Sequence, residues 1–255
     1  MGEWRRQLSV LPSYAATFTL DPFDSALLIV DMQNSCAHEA RGASRYLRKH
    51  YPQVAAYFFD RLTNLVVPNA VRLLDFFREH RLKVVHVTVG PHLPDHSDFE
   101  TLRRETESGI RERAGIENNL YHVGTQEHAI REELAPRPGE LVINKVSRGA
   151  FNSTGIDQLL RNMGVHSLVI IGVATNACVE TTARDAADRG YRCVLVDDAC
   201  AGQSEFLHDA TMLSFATLFG RVVTTAEVLA ELDGGLARAS ARRATVTSQS
   251  EPRRL

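Results

Sequence analysis

Six short runs of mostly Val, Ile, Leu and Ala recur along the chain: residues 26–30, 83–89, 141–144, 167–173, 192–196 and 221–224. A strand with one face in water alternates apolar and polar residues, whereas a strand covered on both faces does not. Continuous runs of this kind therefore indicate a parallel sheet. The segments between them carry helical periodicity, as in 71–80, where Leu73, Leu74, Phe76 and Phe77 fall on one stripe. The same spacing predicts helices over 126–134, 155–163, 176–188 and 205–218, and Gly164 and Gly190 stand where helix stops are expected. The implied fold is α/β: a single doubly wound, mainly parallel six-stranded sheet with helices on both faces.

Three regions break the alternation. Residues 1–22 read as an N-terminal arm that packs on the surface or on a neighbouring subunit. Residues 41–68 form an insertion bearing Tyr46, Tyr51, Tyr57, Phe58 and Phe59. It could cap the site or form a subunit contact, and core packing explains it equally well. Residues 237–255, rich in Arg, Ser and Thr, are expected to be disordered, which leaves 23–236 as the folded domain.

Bulk properties exclude several classes. With 29 Lys and Arg against 31 Asp and Glu, the net charge of −2 offers no basic field to nucleic acid or anionic lipid. No apolar run reaches the length of a membrane span, and no signal-peptide core is visible, so the expected compartment is the cytoplasm. The four cysteines, Cys36, Cys178, Cys193 and Cys200, lack metal-finger spacing, and Cys193 inside RCVLVDD reads as buried and inert.

Chemistry concentrates where apolar runs end. In IIGVATNACVETTARDAADRG, residues 170–190, a strand gives way to a polar turn, and Cys178 falls in the first turn of the following helix. There the helix dipole and unpaired N–H groups favour a thiolate and can stabilise an oxyanion. Asp31 closes the run in SALLIVDMQN, and Lys145 closes that in GELVINKVSRGAFNST. An acid, a cation and a thiol at three strand ends form a nucleophile set, because open α/β sheets gather their sites at those ends. Gln33 and Asn34 are candidates for orienting Asp31 or substrate, and Phe151 for lining the pocket. Arg148 could anchor a substrate carboxylate, while Gln203 and Ser204 lie at the correct sheet edge for substrate contact.

DMQN at 31–34, the Lys145 segment ending in AFNST and GVATNACVETTARDA together resemble the isochorismatase-like cysteine hydrolases, over about residues 24–232. That superfamily includes nicotinamidase and the N-carbamoylsarcosine, ureidoacrylate and biuret hydrolases. The resemblance implies Cys178 as nucleophile, Asp31 as general base and Lys145 as the cation beside both. It further implies a cis Val173–Ala174 peptide, an oxyanion hole from the N–H groups of Ala174 and Cys178, and neighbouring first and fourth strands. The expected reaction is hydrolysis of a small amide, ureido or carbamoyl C–N bond through a thioester, releasing ammonia or amine. No cofactor is implied, and a homo-oligomer, dimer or tetramer, is expected.

Departures matter too. Nicotinamidases bind a metal through an Asp-x-His pair and another His in the region of His86, His92 and His96. Gly90 replaces that aspartate here, so no metal is expected, and His86 reads as a core residue. Ala216, Thr217, Leu218 and Phe219 stand where biuret hydrolases carry a substrate-binding glutamine. The competing readings are an isochorismatase-type vinyl-ether hydrolase, which needs no sulfur nucleophile, a nicotinamidase-like deamidase and a non-catalytic scaffold.

Overall fold

A computed structural model describes residues 3–11, 16–42, 44–114 and 121–249. The strands are β1 (Ser25–Val30), β2 (Lys83–Val89), β3 (Leu141–Lys145), β4 (Ser167–Val173), β5 (Arg192–Ala201) and β6 (Arg221–Val223). They form one all-parallel sheet in the order β3-β2-β1-β4-β5-β6. The chain thus runs outward from β1 in one direction, then restarts at β4 on its other side. The carboxyl ends of β1 and β4 flank the resulting switch point, where such sheets form their crevice.

The helices are α1 (Glu3–Leu8), α2 (Asn34–Ala37), α3 (Ser44–His50), α4 (Pro52–Arg61), α5 (Val67–Glu79), α6 (Thr101–Ala114), α7 (Ile156–Asn162), α8 (Glu180–Asp188), α9 (Glu205–Leu218) and α10 (Thr225–Gln249). Strand alternation splits the core in two. Leu27 and Ile29 face Phe58, Leu73, Phe77, Val228 and Leu232 of α4, α5 and α10. Ala26, Leu28 and Val30 face Leu160, Ala183, Met212 and Phe215 of α7, α8 and α9, with Trp4 of α1 in the same layer. Both faces of β1 and β4 are buried, which is why their sequences show no polar alternation.

The described start of the arm packs on the domain: Trp4 is 2% exposed and α1 lies against α9. The aromatic insertion folds into α3, α4 and the entry to α5, where Phe58 and Phe59 join the core and Tyr51 stays exposed. Two expectations need correction. Residues 126–134 are turns ending in a short 3-10 stretch, Glu132–Leu134, rather than a helix. Their backbone is taken by the strand-end loop: Asn34 N–H donates to Ala129 O, Ser35 N–H to Glu127 O, and Gln33 bridges Ile130. The expectation of disorder fails for 237–249, which continue α10; residues 250–255 lie outside the described part. A reciprocal cap starts that helix, with Thr224 N–H donating to Glu227 Oε2 and Glu227 N–H to Thr224 Oγ1. Once two turns are anchored by Val228 and Leu232, adding further residues costs little.

Candidate active site

Gly172 brings the central strands close enough to build the site. Its φ is +124°, and a Cβ there would lie 2.0 Å from Val30 O, so only glycine permits this approach. Beyond it come the cis Val173–Ala174 peptide and a π-type turn, Thr175–Val179, that carries Cys178 into α8. Asn176 within the turn has non-helical φ and ψ. No backbone acceptor for the N–H of Ala174 appears among the described residues.

Asp31 directly follows β1, with φ +52°, a left-handed conformation that Asp tolerates better than most residues and that is common at functional turns. Lys145 ends β3, two strands away, a gap of about 9–10 Å at normal strand spacing. Its side chain crosses the end of β2, and Nζ donates to Asp31 Oδ2 at 2.8 Å. Lys145 is 0% exposed and Asp31 2%, so the ion pair is sealed. Burial pushes the Lys145 ammonium down, but the charge of Asp31 and its hydrogen bond oppose this, and the pKa is held above the ordinary lysine range.

Cys178 is 9% exposed, and its thiol is pushed up to about 12, first by burial and then by the Asp31 charge; Lys145 opposes this. This shift runs against the expectation that the helix terminus favours a thiolate, because burial favours the protonated form. Asp31 Oδ1 is buried and holds no hydrogen bond of its own, so it is the acceptor available to that thiol.

The other candidates separate clearly. Gln33 is completely buried, and its amide is spent on the backbone: Nε2 donates to Val89 O and His128 O, and Oε1 accepts from Val89 N–H. Both of its polar atoms are thus engaged by backbone groups. Asn34 Nδ2 likewise donates to Gln126 O. Phe151 belongs to the same buried cluster as Cys178, its ring 5.9 Å from the Tyr191 ring. Arg148 and Gln203 are exposed, and Ser204 caps α9 through Leu207 N–H. Two residues escaped the sequence reading. Cys36 on α2 feels the charges of Asp31 and Lys145, and burial raises its thiol to about 11. The charge of Arg103 on α6 reaches Cys178, Lys145 and Cys36, and its guanidinium lies 4.7 Å from the Phe99 ring centre. No local motif marks either residue.

A metal of the nicotinamidase kind does not fit. A Cβ at Gly90 would come within 2.5 Å of both His128 Cδ2 and Tyr121 O, leaving no room for the missing carboxylate. His92 Nε2 is held by Asn144 Nδ2, and no three His, Cys, Asp or Glu side chains converge among the described residues.

The isochorismatase-domain family matches residues 25–227, which include the whole sheet. The chain belongs to the isochorismatase family. Among its relatives is the ureidoacrylate amidohydrolase RutB of Rhizobium rhizogenes, 29% identical over 231 residues and covering 86% of this chain and 88% of that one. Among solved structures, a cysteine hydrolase from Pseudomonas syringae pv. phaseolicola shares the fold at a TM-score of 0.71 and 23% identity, covering 88% and 100%. N-carbamoylsarcosine amidase from Thermoplasma acidophilum superposes at 0.57 with 25% identity, covering 79% and 96%. No helix of this family member, among the described residues, is long and apolar enough to cross a membrane.

Proposed function

We propose that this protein is a cysteine-dependent amidohydrolase that cleaves a small ureido, carbamoyl or amide C–N bond through a covalent thioester. The observation that carries the reading is the sealed Asp31–Lys145 pair with one carboxylate oxygen uncommitted beside a buried Cys178 whose thiol form burial favours. A thiol in that state cannot attack until its proton leaves. Asp31 takes the proton as sulfur bonds to the substrate carbonyl, so charge separation and attack occur together. Lys145 balances the charge that moves between carboxylate and sulfur. The N–H groups of Ala174 and Cys178 receive the oxyanion. As the tetrahedral adduct collapses, the C–N bond breaks and Asp31 returns its proton to the departing nitrogen. Water, deprotonated by the same carboxylate, then cleaves the thioester, and Asp31 returns that proton to the departing sulfur.

The relatives act on ureidoacrylate and N-carbamoylsarcosine by name, and both compounds pair a carbamoyl nitrogen with a carboxylate. Arg103, whose charge extends over the reactive cluster, suits an anionic substrate of that class. The test is ammonia release from ureidoacrylate, N-carbamoylsarcosine and a panel of simple amides, with intact-protein mass measured after rapid quench. Turnover with an acyl mass on the Cys178 peptide is expected. Absence of turnover on every C–N probe overturns the reading, as does turnover that survives Cys178→Ala.

A further inference from the structure

The turn that presents Cys178 is held from behind by a buried polar chain that the mechanism above does not use. Thr175, 0% exposed, directly follows Ala174 and lies three residues before the nucleophile. Its Oγ1 is 2.9 Å from His208 Nδ1, and His208 Nε2 is 2.8 Å from Asp197 Oδ1. Asp197 lies where β5 leaves register with β4, between the pairs Ile170–Leu195 and Gly172–Cys200. Arg61, at the end of α4, donates through Nη2 to Asp197 O and Oδ1, and through Nε to Cys200 O. Trp4 Nε1 of the arm donates to Asp197 Oδ2 at 3.1 Å. Threonine, histidine and aspartate thus form a relay-like line, yet the hydroxyl and imidazole are both buried, so the line cannot meet a substrate.

Its chemistry is readable from donors and acceptors. His208 Nε2 stands between an acceptor, Asp197 Oδ1 at 2.8 Å, and a donor, Arg61 Nη2 at 2.9 Å, so both hold the ring in place. Nδ1 on the other side of the ring is hydrogen-bonded to the Thr175 hydroxyl and so ties that side chain to the ring. Burial and the nearby Arg61 charge both keep His208 neutral. Burial would raise the Asp197 carboxyl, but the His208 and Trp4 hydrogen bonds and the Arg61 charge hold it below the usual range.

We propose that His208, fixed by Asp197, is a positioning residue that grips Thr175 and so sets the aim of the Ala174 and Cys178 N–H groups at the developing oxyanion. This rests on the hydrolase reading and deepens it. A misaimed oxyanion donor should slow reactions that build a tetrahedral oxyanion, and spare those that do not.

The test compares two reagents on Cys178. p-Nitrophenyl acetate acylates sulfur through a tetrahedral oxyanion, whereas iodoacetamide alkylates it by displacement without one. Both are followed by peptide mass at Cys178, with melting temperature measured in parallel. Thr175→Val is expected to slow acylation roughly 10–100-fold, in the range for losing an oxyanion donor, with alkylation changed less than about twofold. Thr175→Ser restores the hydroxyl and should recover acylation to within about threefold of the parent; His208→Gln should resemble Thr175→Val. Unchanged acylation in Thr175→Val, an equal fall in both reactions, or failure of Thr175→Ser to recover acylation overturns the positioning role. If the parent protein is never acylated at Cys178, the hydrolase reading falls and the positioning role falls with it.

Discussion

Two ionic clusters sit at opposite ends of the same sheet, and they differ in burial and in hydrogen bonding: the Arg78 and Glu140 side chains keep 11% and 12% exposure, those of Lys145 and Asp31 0% and 2%. At the amino end, Glu140 before β3 is saturated: Arg78 donates to both its oxygens, and His86 Nε2 and Arg137 N–H add two further bonds. At the carboxyl end, Asp31 has Lys145 on Oδ2 and nothing conventional on Oδ1. A saturated carboxylate ties elements together, here α5 to β2 and β3. A carboxylate left with one buried lone-pair site beside a thiol is equipped to accept a proton. Hydrogen-bond completeness, together with deeper burial, separates the reactive pair from the tether.

The largest way to break this contrast is Cys178→Ser. The hydroxyl is a far weaker acid than the thiol, so turnover should fall by about three orders of magnitude or more. The melting temperature should move little, since the volume is nearly kept. Steady-state ammonia release checks the first outcome and thermal unfolding the second. A serine variant within tenfold of the parent removes the assigned nucleophile.

Lys145→Met addresses the pair itself. Methionine fills most of the volume but leaves Asp31 buried and uncompensated, which should cost about 3–5 kcal/mol in urea unfolding at pH 7. Asp31→Asn combined with Lys145→Met removes both charges and should recover most of that loss without restoring turnover. A single variant costing under about 1 kcal/mol would mean that water reaches the pair, which the 0% exposure of Lys145 opposes.

The contrast also explains what was legible in the sequence. Asp31, Lys145 and Cys178 each follow or end an apolar run, so strand periodicity placed them at one sheet edge. Their convergence followed from topology. Gln33 looked equivalent to Asp31 because sequence does not show that its amide is consumed by Val89 and His128. Residues 126–134 carried helical spacing, but the loop at 33–35 captured their backbone, a long-range effect that no local window contains. The 237–249 stretch failed the opposite way: its composition suits disorder, while the cap at Thr224 and Glu227 lies a dozen residues upstream. Asp197 and His208 were missed because their partners, Trp4, Arg61 and Thr175, come from three different segments of the fold.

The smallest effect belongs to the tether and is read through pH. Burial would raise Glu140, but Arg78, the Arg137 N–H and His86 together hold it down to about 2, against an ordinary value of 4.5. A carboxyl whose folded pKa is depressed contributes stability that is fully present above its unfolded pKa and lost as pH falls toward the folded one. Glu140→Gln should therefore flatten the dependence of unfolding free energy on pH between about 4.5 and 2. The flattening will be partial, because Glu227, held to about 2 mainly by its Arg5 hydrogen bond, titrates in the same window. Turnover of Glu140→Gln at pH 7 should stay within about twofold of the parent, since Glu140 sits at the far end of the strands from Cys178. Urea unfolding at pH 5 and pH 3 decides it: an unchanged slope would mean that the four hydrogen bonds on Glu140 persist in the protonated acid, and the distinction between a saturated tether and an open base would lose its electrostatic foundation.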